Sequence, residues 1–138
     1  MITQLSVFLE NSQGRLARLT QVLGDAGIDL NAVSVADTTG FGILRVIVEE
    51  PERARQILRE AGFHATLTQV LGVRVADIPG GLSKVLGILD RAQISVEYLY
   101  SFTKASPEEV LILIHVSDPS YAEQILAEQK IPTLNDGE

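Results

Sequence analysis

The chain has 138 residues, a formal net charge of -7, no cysteine, 46% hydrophobic residues and 21% charged residues. That length suits one compact domain or two very small ones, and that hydrophobicity is enough to bury a core. Disulfides, thiolate metal sites and cysteine nucleophiles are excluded. An acidic chain with scattered basic residues also opposes general nucleic-acid binding.

In chain order, Leu5, Val7 and Leu9 alternate with Ser6 and Phe8 as a half-buried strand does. After a loop at Gly14, residues Leu16, Leu19, Val22, Leu23 and Ala26 share one face of a helix that Gly27 ends. Ile28 to Ala36 and Phe41 to Val48 read as a hairpin turning at Thr39-Gly40. Pro51 opens a second helix with Ala54, Ile57, Leu58 and Ala61 inward, and Gly62 ends it before the run Phe63 to Val70. The second half repeats the order. It has a strand Leu71 to Ala76, a loop at Pro79, and a helix carrying Leu82, Val85, Leu86, Leu89 and Ala92. Then come runs Ile94 to Thr103 and Val110 to Val116, a helix from Pro119 with Ala122, Ile125 and Leu126 inward, and a short strand Ile131 to Leu134. The tail Asn135 to Glu138 is expected to fray.

The repeat is arithmetical. Gly14 and Gly80, Leu16 and Leu82, Leu23 and Leu89, and Ile28 and Ile94 all differ by 66, whereas Pro51 and Pro119, Ala54 and Ala122, and Leu58 and Leu126 differ by 68. Glycines, prolines and core positions recurring together mark an internal duplication, with two extra residues in the second hairpin. Each half has the order βαββαβ, which predicts an α+β fold of two tandem ferredoxin-like units, 1–70 and 71–138, with antiparallel sheets and both helices on one face. Phe63 to Ala76 joins them without a linker, and only Gly72 permits a bend. The inner strands are apolar on both faces: Val46 and Val48 are expected to face the helices with Ile43 and Ile47 away, and Leu111 and Leu113 to do the same opposite Ile112 and Ile114. An open face of that kind calls for cover by the other repeat or a second chain, so a homodimer is expected.

The loop Asp77-Ile78-Pro79-Gly80-Gly81-Leu82 and its looser copy Asn11-Ser12-Gln13-Gly14-Arg15-Leu16 stand between a strand and a helix. Glycines that let the backbone turn sharply expose helix N-terminal amides to an anion, and a small carboxylate is the ligand that suits them. Each feature also has a plainer reading. Gly14 and Gly80 can simply start a helix, and Asp77 can be a helix cap. Tyr98 and Tyr100, on one sheet face, can be packing, and Asp37-Thr38 with Phe41-Gly42 can be a turn. Arg45 on an inner strand requires a partner and is a weaker candidate.

At these residues the chain resembles the ACT domain family of ferredoxin-like, amino-acid-binding regulatory modules. The resemblance rests on Asp77-x-Pro79-Gly80-x-Leu82 followed by Ala92-x-Ile94-x-Val96, and on the looser Gly14-x-Leu16 with Ala26-Gly27-Ile28-Asp29-Leu30. Ala36-Asp37-Thr38, Phe41 to Arg45 and Glu97 to Tyr100 resemble stand-alone tandem ACT proteins without a catalytic domain. The resemblance implies an amino acid held at a junction of modules, between the glycine loop of one and the second strand of its neighbour. Carried onto this chain, the loop residues are Asn11, Gln13, Gly14, Arg15, Leu16, Asp77, Pro79, Gly80, Gly81 and Leu82. The strand residues are Asn31 to Val35, Val33 among them, and Glu97, Tyr98, Leu99 and Tyr100. Asn11 replaces the acid and Gln13 the proline in the first loop. A metabolic enzyme is the implied partner.

Rival readings are an enzyme, a nucleic-acid binder and a ligand-free dimerisation or adaptor module. His64 and His115 lack a nucleophile, an acid or a metal-ligand spacing around them, so no catalytic residue, metal or cofactor is expected, and His115 is read as pairing with Asp118. With 5% aromatic residues the sheet does not suit RNA. The adaptor is the rival that the apolar faces support as well as a sensor. No long apolar segment predicts a membrane span and Met1-Ile2-Thr3-Gln4 lacks a signal peptide's basic region, so the cytoplasm is the expected location and no membrane partner is expected.

Overall fold

The computed structural model describes residues 1–10, 12–38, 40–102 and 107–137. Its elements are β1 (Ile2–Glu10), α1 (Arg15–Asp25), β2 (Ala32–Thr38), β3 (Phe41–Ile47), α2 (Pro51–Glu60), β4 (His64–Ala76), α3 (Gly81–Arg91), β5 (Val96–Ser101), β6 (Glu109–Val116), α4 (Pro119–Glu128) and β7 (Thr133–Leu134). The chain divides into two compact units, Thr3–Thr68 and Gln69–Glu138, the latter taking in Met1–Ile2.

In the first unit the strands run β2-β3-β1-β4; in the second they run β5-β6-β4, with β7 on the other side of β4. β3 pairs antiparallel with β1 and β2, β6 with β4 and β5, and β7 with β4. Val7 and Val35 both lie opposite Leu44 on β3, and Val73 and Leu99 lie opposite Ile112 and Ile114 on β6. The first core joins Leu5, Val7, Leu44 and Val46 to Leu19 and Leu23 of α1 and Ala54 and Leu58 of α2. The second joins their repeat partners Leu71, Val73, Ile112 and Ile114 to Val85 and Leu89 of α3 and Ala122 and Leu126 of α4. Burying one such aliphatic side chain contributes about 1.5–3 kcal/mol, so these matched sets hold the helices to one face of each sheet.

The other face is buried in places too. Ile47 is 5% exposed and Leu113 0%, and neither belongs to a helix-facing core; the first inner strand is turned as expected, but in the second it is Ile112 and Ile114, not Leu111 and Leu113, that face the helices. Gln4, also fully buried, donates from its amide to Ser6 Oγ at 3.2 Å.

Several expectations are corrected. β2 begins at Ala32 rather than Ile28, because Ile28 enters the core and the Asp29 carboxylate accepts the Leu30 N–H at 3.0 Å in a local turn. Leu16, expected inward, is 43% exposed. The stretch expected to run on without a linker does so as one strand of 13 residues, and Gly72 lies within it, where a Cβ would come 2.9 Å from Ile2 Cγ1. β7 is only two residues long, since Pro132 offers a carbonyl to the Arg74 N–H, 3.1 Å, and no N–H of its own. The tail does not simply fray, because the Asp136 N–H donates to the Met1 carbonyl at 3.1 Å and Asn135 accepts from the Met1 amine. His115 does not pair with Asp118. Asp118 caps α4 by accepting the Tyr121 N–H at 3.2 Å, and His115 Nδ1 lies 2.9 Å from Glu97. The turn residue Thr39 and the end of the Ile94 to Thr103 run lie outside the described residues.

Candidate functional site

The two glycine loops are built alike. Gly14 and Gly80 cap α1 and α3 at φ 88° and 84°, a left-handed conformation that glycine adopts without a Cβ clash, and neither helix receives a side-chain cap. Their hydrogen bonds also correspond at the 66-residue offset. Ser12 and Ile78 donate to Glu10 and Ala76 at 2.8 and 2.9 Å, and Arg18 and Lys84 donate to Gly14 and Gly80 at 2.9 and 3.0 Å. Between these, Arg15 donates to Ser12 at 3.4 Å and Gly81 to Ile78 at 3.0 Å. The tighter second loop leaves no room at residue 81, where a Cβ would collide with the Ala76 carbonyl oxygen. Asp77 is exposed and is not the cap that one reading made it; Gly80 is. Asn11 lies outside the described residues.

At the first loop a cavity of about 450 Å³ is lined by Leu9, Glu10, Ser12, Arg15, Leu16, Val35 and Gly42. Arg15 sits with its guanidinium carbon 4.4 Å from the centre of the Phe63 ring, close enough for a cation–π contact. Its Nε is buried without a hydrogen-bond partner among the described residues. Leu16 and Val35, 43% and 51% exposed, supply an apolar side to the same hollow. Arg15 and Leu16 thus meet β2 at Val35 within one unit, whereas the expected pairing was with the second strand of a neighbouring module. Gln13 and Gly14 are exposed in the loop but do not line the cavity. Val33 lies farther along the same face of β2, and the Asn31 N–H is engaged by the Ile47 carbonyl at 2.8 Å. Phe63, Ser12 and Glu10 were not singled out by sequence. Phe63 reaches Arg15 only through tertiary folding, although its place directly after Gly62 at a strand start identifies it as core.

The second loop faces a different set. A cavity of about 420 Å³ there includes Pro79, Gly80 and Gly81, as predicted, but its other walls are Arg74, Lys84, Glu109, Lys130, Ile131 and Pro132 among others. Asp77, Leu82, Glu97, Tyr98 and Leu99 do not line it. Leu82 packs on the core, and Glu97 is turned to His115, on whose ring Tyr98 stacks at 4.8 Å and 4°. Tyr98 and Tyr100, opposite His115 and Leu113, do share one face. A wider hollow of about 720 Å³ at the end of α3, lined by Leu86, Asp90, Gln93, Ile94, Ser95 and Val96, contains none of the predicted ligand residues.

Among the described residues no three His, Asp or Glu side chains are grouped to hold a metal ion, and no helix is long and apolar enough to cross a membrane.

A protein of known structure from Bacteroides thetaiotaomicron is 38% identical, with 96% of this chain and 91% of that one covered and a TM-score of 0.90. The ligand-free regulatory subunit of aspartate kinase from Thermus thermophilus is 17% identical, covering 93% of this chain and 90% of that one, at a TM-score of 0.67. That from Thermus flavus is 16% identical, covering 91% and 88%, at 0.64. At such identities the two Thermus proteins share the fold. No curated protein sequence matches the chain. The family model for the ACT domain pair matches residues 1–138, and the chain belongs to that family.

Proposed function

We propose that the chain is a non-catalytic regulatory protein of amino-acid metabolism that senses a small amino acid at its glycine loops, as two ACT modules, 1–70 and 71–138. The observation that carries this reading is the first-loop cavity, where Arg15, with an unpartnered Nε, stands beside the apolar Leu16 and Val35. A guanidinium suits an α-carboxylate, Glu10 suits an ammonium, and the apolar wall suits an aliphatic side chain. The family supports it, and so does the fold shared with proteins described as aspartate kinase regulatory subunits. In this reading the protein works in the cytoplasm as a homodimer, a second copy covers the exposed side of β2, and ligand binding shifts a partner enzyme by changing the population of one arrangement.

A thermal-shift screen against the common amino acids tests it. A ligand that binds only the native state at 100 times its Kd stabilises by about 2.7 kcal/mol, an easily measured rise in Tm. One amino acid should raise Tm, and Arg15→Ala should abolish the rise; Gly80→Val then reports whether the second loop contributes. No shift at millimolar concentration with any of them favours the second reading, a ligand-free dimerisation or adaptor module. The exposure of Val33, Val35, Phe8 and Phe41 on the first unit favours that alternative.

A further inference from the structure

We propose that the cavity at the Pro79-Gly80 loop is a separate site for a small organic phosphate, which refines the proposed function by leaving amino-acid sensing to the first loop. The chain carries 11 basic residues against 18 acidic ones, yet Arg74, Lys84 and Lys130 line this one hollow, with Glu109 the single acid in its wall among the described residues. The three come from β4, α3 and the turn after α4, so no local sequence run accounts for their meeting. Among the described residues none of them is held in an ion pair. All three are exposed, so water screens their mutual repulsion, but an anion seated in the hollow is attracted by all three, and more than one unit of negative charge suits them best. A phosphate monoester carries nearly two charges and three acceptor oxygens, enough to engage several N–H donors at once. Ile131, Pro132 and Val75 give the same cavity an apolar wall for the carbon skeleton of the ester, and about 420 Å³ accommodates a small metabolite.

Lys130 offers a clean test. It stands at φ 59°, a left-handed conformation that costs a non-glycine residue stability, where the first unit has Gly62 at φ 91°. Gln93 after α3 shares this conformation, so the backbone alone does not mark a ligand; what it allows is a substitution, Lys130→Gly, that removes the charge with no backbone penalty.

That contrast defines the experiment. The whole protein is titrated with glycerol 3-phosphate, inorganic phosphate, succinate and sodium chloride at matched ionic strength, following the Gly80 and Gly81 amide resonances by NMR. Saturable shifts with glycerol 3-phosphate, stronger than with succinate, are expected. Lys130→Gly should raise Tm while weakening the ester about tenfold, and Lys84→Gln should weaken it similarly. Arg18→Gln, at the repeat position of Lys84, should leave binding unchanged. Shifts no larger than with sodium chloride, or undiminished in both variants, overturn the site; equal binding of succinate overturns the phosphate assignment. Co-sedimentation with phosphatidylcholine vesicles only when they contain phosphatidic acid would move the ester from a soluble metabolite to a lipid headgroup and overturn the small-molecule assignment. An amino-acid shift lost in Arg15→Ala and kept in Lys84→Gln, alongside these results, separates this site from the first.

Discussion

The two loops share a backbone and differ in nearly everything attached to it. In the first, Arg15 stacks on Phe63; at the matching positions of the second stand Gly81 and Ile131, and the pair is gone. Phe8 packs beside Phe41 and His64 at 5.3 and 5.7 Å between ring centres, whereas Arg74, Glu109 and Pro132 occupy the corresponding places of the second unit. Duplication has kept the frame that sets the turn and released the side chains around it. A shared turn therefore does not imply a shared ligand.

The comparison can be broken most directly at the cores. Leu23→Ala and Leu89→Ala remove matched, fully packed leucines, so each should cost about 2–5 kcal/mol by urea denaturation. A difference between them of more than about 2 kcal/mol would mean that the two frames are not equivalent. Next come the turns. Gly14→Ala and Gly80→Ala should each cost about 1–2 kcal/mol because both residues have positive φ. Gly81→Ala should be worse than Gly14→Ala because of the collision with the Ala76 carbonyl, and a neutral result there would show that the second loop relaxes readily. Smaller still, Arg15→Ala should lose about 0.5–1 kcal/mol with the Phe63 contact, whether or not a ligand is present. The smallest effect has the opposite sign. Gln93→Gly, at φ 59° where the first unit has Gly27, should raise Tm slightly, by less than about 1 kcal/mol in stability.

The frame was legible because periodicity reports burial. Leu5, Val7 and Leu9 alternate and are buried, Leu19 and Leu23 are four apart and buried, and the repeat offsets align both cores. Leu16 shows the limit of that signal. It has core spacing, but in the first turn of α1 it looks past the sheet into the cavity. The pairings were less legible. His115 lies three residues from Asp118 in sequence, yet the cross-strand neighbour Glu97 takes it, because Asp118 is already engaged by the backbone of α4. Arg15 was singled out but Phe63 was not, and the meeting of Arg74, Lys84 and Lys130 depends on three elements that no short motif spans.

The matching hydrogen bonds of the two loops have a practical consequence. Since Gln13 and Pro79 occupy equivalent points of the same turn, that turn tolerates either residue, and residues 76–81 can be transplanted as a cassette in place of residues 10–15. The chimera would carry two proline-glycine turns on otherwise native units, so recognition could be reprogrammed one unit at a time without redesigning a core.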